Sequence, residues 1–418
     1  MSVFVQINCH LLDPGVVSKL DSLKHRKLYH DVVGLVLEPL KESQPTQSLE
    51  PNSLQDNLTR IGVLYEICYG SLHTGEWHAV PVEERDSFTL LSYLRILYML
   101  LIRKESDDCI RDAIYLADIG LMLGSRIILK DAGTDADLLS TVAKVLSSQK
   151  GVNEQEPALK KLKVDVEVQS DKTCEVPVLQ KPTLEYFGNF HYDKSEPAIL
   201  EGVIDDWPAM KKWHDPNYLI GLAGERSVPV EFGSQYSNDD WSQRLVRFKD
   251  FIVDNLIVCD DTEKASGSLR GEKSPAYLAQ HELFDQIPEL REDIAIPDYI
   301  GRTDINPRIK AWLGPKGTIS PLHTDPGHNL LCQVFGSKTI ILASPTETPN
   351  LYPHEHFILN NTSQVDAANV DYDRFPRARD VRFRRLTLHR GQVLYIPPGW
   401  WHYVESLSCS FSVSFWFD

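Results

Sequence analysis

The sequence lacks what would mark a secreted, membrane-spanning or nucleic-acid-binding protein. Its seven cysteines, at 9, 68, 109, 174, 259, 332 and 409, are odd in number and include no Cys-x-x-Cys pair. That pattern argues against a disulfide framework or a cysteine zinc site and for reduced thiols. No stretch approaches the roughly 20 apolar residues of a membrane-crossing helix, so no membrane association is expected. The first ten residues offer no basic segment followed by an apolar core, so no secretory signal is expected either. Positive charge is scarce: 43 Lys and Arg face 59 Asp and Glu, a net charge of −16. Without clustered cations to neutralise phosphates, direct nucleic-acid binding is not expected. An acidic chain suits a basic polypeptide partner instead. A peptidase has no support, for there is no His-Glu-x-x-His and no nucleophile–base pattern.

At 418 residues the chain is long enough for two domains. From about residue 15 to 148, apolar residues recur at helical spacing, as in 64–69, 90–101 and 110–123. Antiparallel helix pairs are expected there, comparable to tetratricopeptide hairpins but with no repeat period. Residues 149–180 mix Ser, Gln, Glu, Lys and Val without period, the composition of a flexible linker. Within it, Lys160, Lys161 and Lys163 read more readily as solvated charge than as a nuclear-import patch. The polar, glycine-containing stretch 263–273 reads as a mobile surface loop. The division expected is a helical domain over 1–148, a linker over 149–180 and a catalytic domain over 181–418.

What the chain does have is Ser320-Pro-Leu-His323-Thr-Asp325-Pro-Gly-His-Asn329, answered 77 positions later (402 − 325) by Trp401-His402. Two histidines and one carboxylate form the set that holds non-haem Fe(II) on one octahedral face, leaving positions for a 2-oxo acid and O2. His-x-Asp alone is a weak signal, and His191-Tyr-Asp193 is such a chance match, with no strand pattern around it. Around His323 the sequence reads as a turn entering a strand that presents His323 and Asp325 on one face. Two apolar strands about a Gly336 turn follow. Residues 391–404 read as a strand, a Pro/Gly turn and a strand opening on His402. Residues 408–416 alternate small polar with apolar residues, as a strand lining a pocket would. Ser412 and Ser414 fit a face left open. Lys338 lies 15 residues after His323 (338 − 323), inside an apolar run, where a charge-assisted pair to a dicarboxylate would explain a lysine.

His323-x-Asp325-Pro, together with Gly391, Ile396-Pro397 and Trp401-His402-Tyr-Val404, resembles the Jumonji-C family of Fe(II)/2-oxoglutarate oxygenases. Further stretches at 277–290, 314–323, 361–366 and 411–416 resemble its peptidyl-arginine hydroxylase branch, also catalogued among lysine demethylases. The resemblance is strong from about residue 180 onward and looser before. It implies an α+β protein: an all-α helical N-terminal domain followed by a double-stranded β-helix. It further implies His323, Asp325 and His402 as the catalytic metal ligands, with Fe(II), 2-oxoglutarate and O2 as cofactor and cosubstrates. Lys338 and Tyr277 would take the distal carboxylate of 2-oxoglutarate, with Ser320 and Asn329 completing the shell. Glu231, Trp241, Trp312 and Trp416 would surround a substrate arginine, although each Trp read by itself is as readily a core aromatic. A carboxylate and stacking walls suit a guanidinium, whereas methyl-lysine calls for aromatic faces. The activity implied is C3 hydroxylation of arginyl residues, with succinate and CO2 as coproducts. The alternatives are histone methyl-lysine demethylation and a metal-binding scaffold with little turnover. The partner expected is an arginine-containing protein, chromatin-associated or ribosomal, met in the nucleus and cytoplasm.

Overall fold

The computed structural model describes the chain apart from residues 1, 42–50, 77–78, 131–135, 150–158, 163–174, 234–240, 258–274, 301–306 and 357–358. Most of the expected linker, and the expected surface loop at 263–273, lie outside the described residues. The chain forms two compact units, Met1–Pro157 with Glu225–Ser227, and Ala158–Gly224 with Val228–Asp418.

The first unit is helical from Val3 onward, earlier than the pattern suggested. Its helix starts follow capping chemistry. The Asp13 side chain accepts from the Gly15 amide (2.7 Å) ahead of helix Pro14–His25. Ser106 and Asp137 do the same for Asp107–Leu123 and Leu138–Ser147. Helix Val82–Arg103 is buried on nearly every side from Ser87 to Leu101, the pattern of a helix packed within a bundle rather than along its surface. Pro51–Leu72 and Asp107–Leu123 pack against it. No helix of the described residues is long and apolar enough to cross a membrane.

The second unit is built on two facing sheets. Its strands are β1 (Val178–Gln180), β2 (Ala198–Glu201), β3 (Ser227–Phe232), β4 (Ser242–Arg247), β5 (Ala276–His281), β6 (Arg308–Gly314), β7 (Ile319–Thr324), β8 (His328–Phe335), β9 (Lys338–Ala343), β10 (Arg384–Leu388), β11 (Val393–Ile396), β12 (Trp401–Ser406) and β13 (Ser410–Phe417). One sheet runs β1-β2-β11-β8-β13-β6-β5-β3-β4 and the other β10-β9-β12-β7. Ile340, Leu342 and Val404 of the small sheet meet Ile199, Leu331, Leu394 and Ile396 of the large one. The two-sheet barrel with helices ahead of it is the expected α+β fold.

The apolar strands expected about Gly336 are there, as β8 and β9, one in each sheet. Gly336 makes that crossing with φ +72°, and a Cβ there would sit 2.2 Å from the Cys409 carbonyl oxygen. Only glycine fits. The serines of β13, expected to face an open pocket, are buried: Ser412 donates to Gln333 (2.7 Å), and Ser414 accepts from the Trp312 indole (2.8 Å). Their hydroxyls satisfy a buried amide oxygen and an indole N–H.

Candidate metal and cosubstrate site

His323 and His402 sit opposite each other as register partners on β7 and β12, with ring centroids 4.1 Å apart. Sheet pairing thus brings together two residues that are remote in the chain. Asp325 falls just past the end of β7, in a turn, rather than on a strand face as expected. Its carbonyl accepts from the Gly399 amide (2.8 Å), which ties this turn to the Pro/Gly turn ahead of His402. The ligand atoms of the three residues all lie within 4.8 Å of one another. The decoy His191 is bonded through its ring to the Glu196 carbonyl (3.2 Å), away from this group.

The donor set fits a divalent metal. His323 Nδ1–H donates to the Pro321 carbonyl (2.7 Å) and His402 Nδ1–H to the Trp400 carbonyl (3.0 Å). A carbonyl can only accept, so both Nε2 lone pairs stay available. Asp325 Oδ2 is buried without a hydrogen-bond partner, 3.5 Å from His402 Nε2. Burial, reinforced by the neighbouring His402, pushes His323 down to about 4. For Asp325, burial acts upward, but His402 and His323 outweigh it and hold the carboxyl below its usual range. At neutral pH this gives a neutral His323 imidazole and an Asp325 carboxylate, the states in which these groups bind metal. At His402 burial acts downward but Asp325 outweighs it and raises the imidazole, so a metal there competes with a proton.

Behind the ligands an inner chamber is lined by Tyr277, Ser320, Asn329, Lys338 and Trp416, among others. Lys338 is 1% exposed. Its Nζ donates to the Tyr277 hydroxyl (2.9 Å), which also bonds Ser320. Burial alone pushes the ammonium down to about 7. Asn329 Oδ1 is buried and unpartnered. A buried cation with no counter-charge among the described residues fits an anionic guest, toward which the Asn329 amide can turn its NH2.

The chamber opens through a mouth of about 310 Å3 lined by Glu231, Tyr277, Trp312 and Trp416 with His323 and Asp325. Trp416 Nε1 is buried with no hydrogen-bond partner. Burial raises the Glu231 carboxyl above its ordinary value, opposed by a bond from the Trp241 side chain. Trp241 itself is 38% exposed and meets the mouth through its bond to Glu231 rather than as one of the residues lining either cavity. Gln280, Asn361 and Thr362 also line the mouth. Sequence reasoning missed Gln280 because strand alternation points it to the other face. Asn361 and Thr362 reach the site from a loop, through a bridge between Thr362 and His323 that no local pattern announces.

The model of the cupin-like domain family matches residues 183–418. Jumonji C domain-containing protein 5 of Drosophila melanogaster is 41% identical over 367 residues, 86% of each chain. Lysine-specific demethylase 8 of Danio rerio is 39% identical over 366 residues, 86% of this chain and 87% of the relative. Lysine-specific demethylase JMJ30 of Arabidopsis thaliana is 36% identical over 377 residues, 84% of each chain. Fe(II) and 2-oxoglutarate are the usual cofactor and cosubstrate of such proteins. With its metal-ligand triad at the mouth of a two-sheet barrel, the chain belongs to the cupin-like Jumonji-C family of oxygenases and demethylases.

Proposed function

We propose that this chain is an Fe(II)/2-oxoglutarate-dependent hydroxylase of arginyl residues in proteins, acting at C3 and releasing succinate and CO2. The observation that carries the arginine reading is Glu231, a half-buried carboxylate in the wall of the mouth, with Trp312 and Trp416 beside it. A guanidinium offers a planar fork of donors that a carboxylate takes in two parallel bonds and that indoles stack against. His323, Asp325 and His402 would hold the metal. Lys338 and Tyr277 would receive the distal carboxylate of 2-oxoglutarate, with Ser320 and Asn329 completing the shell. Bound Fe(II) and 2-oxoglutarate together supply the oxidation of a C–H bond by O2. The chain's own part is to position that bond and exclude water: Glu231 fixes the guanidinium, Trp312 and Trp416 close the sides, and Trp241 steadies Glu231 through its side-chain bond. The expected partner is an arginine-containing protein, chromatin-associated or ribosomal, met in the nucleus and cytoplasm.

Methyl-lysine demethylation is the second reading. The aromatic walls favour it, as do the names of the Danio rerio and Arabidopsis thaliana relatives, both called lysine-specific demethylases. A metal-binding scaffold without turnover is disfavoured by the complete triad and by Lys338. Glu231→Gln separates the first two. Removing one partner of a buried charge pair costs about 2–5 kcal/mol. kcat/KM for an arginine peptide is therefore expected to drop roughly 30-fold or more, with little change for a trimethyl-lysine peptide. Equal activity of wild type and variant on arginine would refute the assignment of Glu231.

A further inference from the structure

Gln280 breaks the pattern of its own strand. Along β5, Tyr277 and Ala279 line the mouth while Leu278 packs in the core. By strand parity residue 280 should follow Leu278 to the inner face. Instead, the pairing of β5 with β6 slips between Leu278 and His281, Gln280 takes φ +53°, and its side chain joins the mouth. A left-handed glutamine within a strand is strained, and such strain persists where surrounding structure imposes it, often at binding sites. Bulges re-aim side chains in this way. The aim is not for an internal bond: Gln280 is exposed, and its amide makes no hydrogen bond with any described residue. His281 turns instead to Gln286 (2.6 Å).

Position gives the exposed amide its use. Tyr277 is level with Glu231 across β3 and β5, so Gln280 lies three residues farther along, roughly 10 Å at the strand rise. An arginine side chain reaching inward to Glu231 leaves its own main chain near that rim. We propose that Gln280 holds the main chain of the substrate polypeptide, its carboxamide pairing with the C=O and N–H of a peptide group beside the target residue. A carboxamide carries one acceptor and two donors, the complement of a peptide group whatever its side chain. Gln280 thereby sets which residue of an extended polypeptide enters the mouth, without reading flanking sequence. This rests on the reading that the substrate is a polypeptide.

The test uses the full chain with Fe(II), 2-oxoglutarate and the arginine peptide that the wild type hydroxylates best. Gln280→Ala is expected to raise the peptide KM roughly tenfold while kcat and the 2-oxoglutarate KM stay unchanged. Gln280→Asn, whose side chain keeps the amide and tolerates positive φ, is expected to recover part of that loss. Replacing the flanking peptide amide by an ester is expected to weaken the wild type and to cost Gln280→Ala nothing further. Gln280→Gly, freed of the strained φ, is expected to melt no lower than the wild type, which keeps a loss of peptide affinity distinct from misfolding. If Gln280→Ala binds peptide as the wild type does, or loses equally to the ester, the proposal falls and the hydroxylase reading stands. If the wild type acts on methyl-lysine peptides instead, the same comparison on those peptides decides Gln280. If it oxidises no peptide, both readings fall.

Discussion

Lys338 is the residue whose placement is hardest to explain without a ligand. It is buried with a tyrosine hydroxyl as its hydrogen-bond partner, and burial depresses it from an ordinary 10.5 to about 7. Between about 7 and 10.5 the unfolded chain therefore holds more protons than the folded one, so the stability of the ligand-free protein rises with pH across that window. The penalty is fully present below 7. A dicarboxylate seated against Lys338 favours the charged form, so above pH 7 binding must take up a proton. Affinity for 2-oxoglutarate is expected to fall by about tenfold per pH unit above 7. Calorimetry in buffers of different ionisation enthalpy reads the uptake directly, and no uptake at pH 8 to 9 would sink this role. Lys338→Met removes the buried charge. It is expected to raise the 2-oxoglutarate KM by roughly 100-fold and to flatten the rise of Tm with pH above 7.

At the scale of elements, the crossing at Gly336 delivers Lys338 to the first position of β9. Gly336→Ala forces a Cβ into the Cys409 carbonyl at a left-handed φ. The expected loss is about 3 kcal/mol, read by denaturant unfolding, together with weaker 2-oxoglutarate binding. Unchanged stability would contradict the geometry. Elements also show what the sequence could disclose. His323, His402 and Lys338 stood out because each is a polar group set in a strand-forming run, and Asp325 by its spacing from His323; strand pattern and spacing are local properties. Gln280 stayed hidden because parity placed it on the wrong face, and a bulge depends on how β5 pairs with β6. Ser412 and Ser414 misled for a similar reason: alternation marks a face but does not say that Gln333 and the Trp312 indole fill it. Trp241 looked like a wall, and what the structure gives it is a side-chain bond to Glu231.

At the scale of the whole molecule, the chain carries a net charge of −16, and its mouth carries Glu231. Such a field steers cationic polypeptides and is screened within about 8 Å at physiological salt. KM for a peptide with lysine and arginine flanks is expected to rise several-fold when salt is raised about tenfold. The same target within neutral flanks should change little. Equal salt dependence for the two peptides would remove charge from the account of substrate choice.

The central claim is arginyl hydroxylation, and mass spectrometry tests it most directly. Arginine and methyl-lysine peptides are incubated with the protein, Fe(II), ascorbate and 2-oxoglutarate, with His323→Ala as the control. The account predicts a gain of one oxygen on arginine, fragmenting to C3, with succinate formed in step and neither product in the control. Loss of methyl groups from lysine, with arginine untouched, would contradict it.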